Sequence, residues 1–440
     1  MKVKVFPAGG IAIPHRKGLT EAIPIKDIAP PETVVIPLHQ HSGAPCEALV
    51  VPGGRVVKGQ KIGDTDARIS APVHSSVTGR VEAVGLRPTV RGEVLSVVIR
   101  REDSEDSGDE TSPARSINDL EATEIIAAIR EAGVVGLGGE GFPTHFKWMV
   151  PPDFPVDTVI INGAECEPYL TADHRLLVER TGDVMSGLRL AMKATGARRG
   201  VIAIENNKPD AIEAARDAVR QWYDIDVVVL GTKYPQGAKK MLTRAVLGRE
   251  VPPHTRSYQE GVVINNVQTA VAAADAVLRR KPLYEKVITV SGGAVNSPAN
   301  LVVPIGMSFR DVLSAAGGTS GNFRLVVGGP MTGVGVDDLD LPLTKTVTAL
   351  LALTPAEYFD GEAGPCIRCA RCVNTCPMRL TPSMIVAYIE RGDVAMAEQT
   401  YIEDCMECGV CAFVCPARRP LVQQIKEGKT ALAASQARAS

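Results

Sequence analysis

The chain has 440 residues, with 48 lysines and arginines against 50 aspartates and glutamates, 45% hydrophobic residues and 4% aromatics. That length suits about three domains, and the near-neutral charge with few aromatics excludes nucleic acid as a partner, which would ask for a basic, base-stacking surface. No stretch approaches the roughly 20 apolar residues of a membrane span, and the opening MKVKVFPAGGIAIPHRKG lacks the apolar core and cleavage site of a secretory signal, so work at a membrane is expected to run through partners.

Residues 31 to 100 read as short strands with glycine turns. Val34 to Leu38 is one run, Val50 to Ile62 reads as strand, turn, strand, and Ser70 to Val73 leads into Val77 to Val84. The phrasing resembles the barrel-sandwich fold of biotinyl and lipoyl carriers. Those need an acceptor lysine at a hairpin tip, and the corresponding tip here, Asp64-Thr65-Asp66-Ala67-Arg68, has none, so the fold is expected without the carrier role. Residues 101–116 are almost devoid of apolar side chains and read as a linker.

Beyond it, Ile125, Ile126 and Ile129 mark a helix, followed by a glycine loop, Gly136-Leu137-Gly138-Gly139-Glu140-Gly141-Phe142-Pro143-Thr144. Closely spaced glycines let backbone N–H groups approach a ligand, and phosphates favour such places; a tight turn without ligand is the alternative. Lys147 stands close enough in sequence to meet a phosphate or carboxylate. Strand runs at 158–161, 201–204 and 227–230 alternate with helical stretches at 173–195, 209–222 and 236–247, which implies a layered, mostly parallel sheet. Asn162 to Pro168 directly follows a strand, where open α/β sheets place ligands, so Glu165 and Glu167 are candidates to accept hydrogen bonds from ribityl or ribose hydroxyls. Asn265-Asn266-Val267-Gln268-Thr269 opens a helical pattern, as polar ligands or as an N-cap. A β-β-α pattern near 285–325 suggests a separate small module, and the segments 382–389 and 393–400 read as helices. The tail after about 428 reads as frayed helix or disordered.

The cysteines are the most specific signal. Cys366, Cys369, Cys372 and Cys376-Pro377 repeat as Cys405, Cys408, Cys411 and Cys415-Pro416, twice the C-x2-C-x2-C-x3-C-P run of a bacterial two-cluster ferredoxin. In that arrangement the fourth cysteine of each run ligates the other cluster, giving one [4Fe–4S] site from Cys366, Cys369, Cys372 and Cys415 and a second from Cys405, Cys408, Cys411 and Cys376. Structural zinc is the weaker alternative. Cys46 and Cys166 lie outside the runs and read as packed thiols, the latter with its pKa raised by neighbouring glutamates.

The glycine loop, the Asn162 to Pro168 segment and Asn265-Asn266-x-x-Thr269 together resemble the FMN- and NADH-binding subunit of respiratory complex I. Adding Gly9-Gly10-Ile11, Gln40-His41-x-Gly43-Ala44-Pro45, Ser70 to His74, Tyr234 to Gly237, Val327 to Met331 and both cysteine runs, nearly the whole chain resembles the RnfC family, the C subunit of Rnf electron transport complexes. The resemblance implies a multidomain α/β plus β chain: a barrel-sandwich hybrid domain (1–100), an acidic linker (101–118), a Rossmann-like FMN/NADH-binding domain with a parallel sheet (119–282), an SLBB-like β-grasp module (283–345), a helical ferredoxin domain (346–428) and a flexible tail (429–440). It further implies that Gly136, Gly138, Gly139 and Gly141 line the flavin and nucleotide, that Phe142 borders the nicotinamide cleft, that Lys147, Asn162, Asn265, Asn266 and Thr269 hold FMN, and that Glu167 lies near the nucleotide. The expected cofactors are two [4Fe–4S] clusters, FMN and NAD(H). The expected partners are the other subunits of a membrane ion-translocating complex and, indirectly, ferredoxin. The expected place is peripheral, on the cytoplasmic side of the cell membrane. Lys239 departs from the complex I pattern, which carries acid there. Two rival readings are a cobalamin reductase of a bacterial microcompartment and an iron–sulfur wire with an empty flavin site.

Overall fold

The computed structural model describes residues 3–102 and 115–439. Most of the acidic segment read as a linker, 103–114, lies outside the described residues.

The α/β domain is built on four parallel strands in the order Ile225–Leu230, Arg199–Glu205, Thr158–Gly163, Val262–Asn266. Side chains alternate across a strand, so Val159 and Ile161 enter one core with the helices Ala122–Glu131, Thr181–Thr195 and Val267–Leu278, while Ile160 enters another against Leu242 and Val246 of the helix Lys239–Leu247. The chain leaves Thr158–Gly163 first to one side and later returns on the other. The order therefore reverses beside this strand, and the carboxyl ends of Thr158–Gly163 and Val262–Asn266 flank the crevice where such sheets bind ligands. Asn162 and Asn266 face each other in register at that edge.

The barrel-sandwich module has a four-stranded and a three-stranded sheet over a core that includes Val34, Ile36, Ile62, Val73 and Val97. The run read as one strand-turn-strand is divided: Arg55–Val56 pairs with the long hairpin Gly79–Thr89/Gly92–Arg101, while Lys61–Asp64 joins the other sheet. The lysine-free tip is immobilised, since Asp64 accepts from Arg130 at 2.8 Å and from Lys61 at 3.0 Å. The β-grasp module has six strands and the helix Phe309–Ala315. It extends past 345, because Ala349–Leu353 lies in its middle, and it borrows Lys26–Asp27 from the N-terminal segment as an edge strand. Residues read as the start of the barrel instead run along other modules: Lys4 pairs with the edge strand of the α/β sheet, and Phe6 is buried in that domain's core.

The cysteine-rich domain is helical, with Ile385, Val386, Ile402 and Ile425 at its centre. Its last helix corrects the expected flexible tail: Leu421–Ala439 is one helix, and Leu432 packs in the same core as Leu421 and Ile425. Among the described residues, no helix is long and apolar enough to cross a membrane.

Lys345 joins three modules. Its fully buried Nζ donates to Pro72 O at 2.7 Å and Gly133 O at 2.8 Å, and its backbone N–H donates to Gln40 Oε1 at 2.9 Å. Burial lowers its pKa to about 7. Between about pH 7 and 10.4 the unfolded chain therefore binds the extra proton, and stability should rise with pH across that window. Lys345→Met should reduce the rise and, by leaving two carbonyls without a donor, destabilise the protein by about 1–3 kcal/mol. Urea unfolding at several pH values checks both, and an unchanged slope would contradict the assignment.

Candidate functional site

A cavity of about 650 Å³ opens at the sheet's switch point. Its size is ordinary for a nucleotide-sized ligand. All four modules line it: His39 and Gln40 from the barrel, the glycine loop and Asn162 from the α/β domain, Thr346 from the β-grasp module, and Met406 and Glu407 from the cysteine domain.

The glycine loop folds back on itself, with Gly136 N–H donating to Phe142 O at 2.9 Å and Gly141 N–H donating to Gly136 O at 3.0 Å. Gly139 has φ +106°, a left-handed conformation, and a Cβ there would find no atom within 4 Å. It projects into open space in the cavity wall, where backbone lies bare toward a ligand. Leu137 N–H donates to Thr269 Oγ1 at 2.9 Å, which ties the loop to the helix after the last parallel strand. Phe142 lines the cavity edge-on to Phe146, with ring centroids 5.9 Å apart.

The asparagines divide their work. Asn266 is the N-cap of Val267–Leu278, accepting from Gln268 N–H at 2.9 Å, and its amide donates to Asp173 Oδ2 at 2.5 Å. Asn162 Nδ2 donates to Gly237 O at 2.9 Å. Asn265 Oδ1 accepts from Trp148 Nε1 at 3.3 Å, while its buried Nδ2 has no partner. An orphaned buried donor costs about 1–3 kcal/mol, and its residue lines the cavity, so a bound acceptor fits here. Lys147 Nζ donates to Ile264 O, and burial, with Lys239 adding, lowers its pKa to about 7.

The two glutamates line the cavity and also brace its walls. Glu165 is a capping carboxylate: it sits at φ +43° and accepts from the N–H groups of Asp173 at 2.7 Å and His174 at 3.4 Å, with the buried Lys17 ammonium 3.7 Å away. Its oxygens hold that helix start, and the residue also lines the cavity, where a carboxylate keeps further lone pairs for a hydroxyl. Glu167 accepts from Met331 N–H at 3.0 Å and from Thr332 Oγ1 at 2.5 Å, pinning the Gly328–Gly333 loop of the β-grasp module against the cavity. Burial raises its pKa. Cys166, half-buried between them, is pushed up to about 12 by desolvation first and the Glu205 carboxylate second, with Glu167 adding. Lys239 forms an ion pair with Glu140 of the glycine loop, so the positive charge that departs from the complex I pattern is matched by an adjoining acid.

The cysteines gather around two separate sites. One cavity is lined by Cys376, Cys405, Cys408 and Cys411, the other by Cys366, Cys369, Cys372 and Cys415. Each set takes three thiols from one run and the fourth from the other. Four thiols spread around a volume match the donor set of a cube. The first set adjoins the central cavity: Tyr234 Oη donates to Cys408 O at 2.8 Å, Val410 packs with Tyr234 and Ile13, and Met406 and Glu407 line the central cavity itself. In the second set, Cys366 and Cys369 are exposed.

Composition and periodicity gave no sign of what the N-terminal glycine pair does. Gly10 N–H donates to Thr375 O at 2.8 Å, and a Cβ on Gly9, at φ +65°, would lie 2.4 Å from Cys376 O. Ile11 pairs with Tyr234. This segment clips the cysteine domain to the α/β domain, and only a side-chain-free backbone fits. Asp173 was also missed; its polar neighbours in sequence carry no local signal of the cavity that the register creates.

The comparisons match this division. Residues 6–105 match the RnfC barrel sandwich hybrid domain, 129–275 the Nuo51 FMN-binding domain, 287–335 the SLBB domain and 359–426 the 4Fe-4S dicluster domain. FMN and [4Fe–4S] clusters are accordingly its cofactors. The chain is 41% identical over 96% of its length to the C subunit of the Na(+)-translocating ferredoxin:NAD(+) oxidoreductase complex of Acetobacterium woodii, covering 96% of that protein. It is 41% identical over 95% of its length to the proton-translocating counterpart from Clostridium ljungdahlii, covering 92% of it, and 38% identical over 98% to the C subunit of the ion-translocating oxidoreductase complex of Rhodobacter capsulatus, covering 84%. An NAD+-reducing [NiFe]-hydrogenase shares the fold, with a TM-score of 0.52 at 20% identity over 74% of this chain and 67% of that one. Four domain matches in chain order and near-full-length identity place the chain in the RnfC family, the C subunits of ion-translocating ferredoxin:NAD oxidoreductase complexes.

Proposed function

We propose that this chain is the peripheral electron-transfer subunit of a membrane ion-translocating complex, carrying electrons between NAD(H) and its partner subunits, on the cytoplasmic face, with ferredoxin engaged indirectly. The carrying observation is the single cavity shared by the glycine loop, the strand-end asparagines and the Cys405–Cys411 loop. When bound, FMN links two-electron hydride chemistry to one-electron iron–sulfur chemistry. The chain's own residues bind and orient. The 136–142 loop offers backbone donors, Asn162 and Asn265 offer amides, and Lys147 offers charge. The Glu167-anchored Gly328–Gly333 loop and Tyr234 close the wall between cavity and cluster. No acid or base is needed for hydride transfer, and none is assigned.

The order of the iron–sulfur sites follows from position. The Cys376, Cys405, Cys408, Cys411 set is proximal to the cavity, and the set with exposed Cys366 and Cys369 is the exit toward a partner. The test is to load the protein anaerobically with iron, sulfide and FMN, add NADH and follow absorbance. Flavin bleaching followed by cluster bleaching is expected; retained FMN without bleaching would sink the NAD(H) assignment.

Lys147 gives a pH signature. An anionic ligand is held by the ammonium form, so with a free-site pKa of about 7 FMN affinity should fall about tenfold per pH unit above 7. Lys147→Gln should bind FMN more weakly and without this slope. Equilibrium dialysis between about pH 7 and 8.5, where the phosphate is already dianionic, reads both; equal slopes in the two proteins would remove Lys147 from the site.

A further inference from the structure

Nearly every charged group lining the central cavity is engaged within the protein. Glu140 pairs with Lys239, Asp173 accepts from Asn266, Glu165 caps a helix and Glu167 holds the Met331 loop, while Glu407 accepts from Lys429 at 2.8 Å. Lys426, about one helical turn before Lys429, lines the cavity on the same side as this carboxylate. Among the described residues the Arg91 guanidinium, like the Lys426 ammonium, makes no ion pair or hydrogen bond, but Arg91 comes from a wall without carboxylates.

The wall that carries Arg91 is chemically distinct. It comes from the barrel and β-grasp modules, and its polar lining includes Gln40, Thr344, Thr346 and Thr348 but no carboxylate. Nearby, His41 is lowered to about 4 by burial first, with Lys345 and Arg91 acting in the same direction. The arginine is also firmly delivered. It sits at the tip of the Gly79–Thr89/Gly92–Arg101 hairpin. Thr89 Oγ1 donates to Gly92 O at 2.7 Å and accepts from Arg91 N–H at 3.1 Å, and Val90 packs into the β-grasp core. An exposed, unpaired guanidinium on an anchored backbone, on a wall with hydroxyls and no acid, suits a phosphate.

We propose that Arg91 binds a nucleotide phosphate, so that the barrel-sandwich hairpin forms the anion-binding wall of the cavity. This rests on the reading that FMN and NAD(H) share the cavity. The phosphate belongs either to the dinucleotide or to the flavin mononucleotide, and the two sources separate experimentally. In full-length protein loaded with clusters and FMN, dissociation constants of NADH and of ADP-ribose, which keeps the pyrophosphate and lacks the nicotinamide, are measured by equilibrium dialysis at low and high salt. FMN affinity is measured alongside. Arg91→Ala is expected to weaken ADP-ribose and NADH by about tenfold, with a shallower salt dependence and unchanged FMN, and Arg91→Lys to recover part of the loss. A loss confined to FMN affinity would assign the same contact to the flavin phosphate. Unchanged affinity for all three ligands overturns the proposal. Native protein that binds neither NADH nor ADP-ribose overturns the NAD(H) reading itself, before any substitution is made, and the FMN arm then decides Arg91.

Discussion

Gly139→Val is expected to empty the flavin site while leaving both iron–sulfur sites filled. The substitution acts in two ways. At φ +106° a β-branched residue is strained, and its side chain extends into the open space that the bare backbone leaves in the cavity wall. Filling a shaped site costs about 1–3 kcal/mol, so FMN affinity should fall by roughly 10- to 100-fold. The cysteine domain has its own core around Ile385 and Ile425, so iron and sulfide content should stay at the native value. FMN retained at native stoichiometry would remove the glycine loop from the flavin site.

Cys376→Ala has the second large effect, and it falls on the other run's cluster. Cys376 lies with Cys405, Cys408 and Cys411, not with Cys366, Cys369 and Cys372. Its loss leaves three thiols at the proximal site and should remove about four of eight irons. The exposed site on Cys366, Cys369, Cys372 and Cys415 should keep its spectrum, yet NADH should no longer reduce it efficiently, because the intervening site is gone. Cys415→Ala should do the reverse, sparing proximal reduction and abolishing exit. Mössbauer or EPR spectra in which Cys376→Ala damages the Cys366 set would refute crossed ligation.

Legibility in the sequence followed the range of each constraint. The cysteine runs were readable because cluster ligands are set by local spacing, and crossing their fourth members needed only the known habit of such runs. The parallel strands were readable because Val159 to Ile161, Val201 to Ile204 and Val227 to Val229 are short, buried and apolar. Asn162 and Asn266 were readable as strand-end and cap residues, but their register pairing across the switch point is a long-range fact. The capping role of Glu165 was not readable, because a helix-capping carboxylate and a sugar-binding one look alike in sequence; the left-handed turn at Glu165 aims it at Asp173. The Ala- and Ser-rich composition of the terminal helix left frayed helix and disorder both open. A signal existed in the spacing of Leu421, Ile425 and Leu432 on one helical face, together with the helix propensity of alanine. Gly9, Lys345 and Arg91 carried no local signal, because each acts on a module distant in sequence.

With NADH as donor, electrons are expected to follow one order along a reversible path: cavity, then the Cys376, Cys405, Cys408, Cys411 site, then the Cys366, Cys369, Cys372, Cys415 site. Rapid freeze-quench EPR after mixing the fully loaded protein with NADH tests it most directly, with the two cluster signals assigned from the Cys376→Ala and Cys415→Ala proteins. The proximal signal should rise first and the exit signal follow, and the exit signal should be lost or strongly delayed in Cys376→Ala. An exit signal that rises first, or at the native rate without the proximal site, would contradict that order.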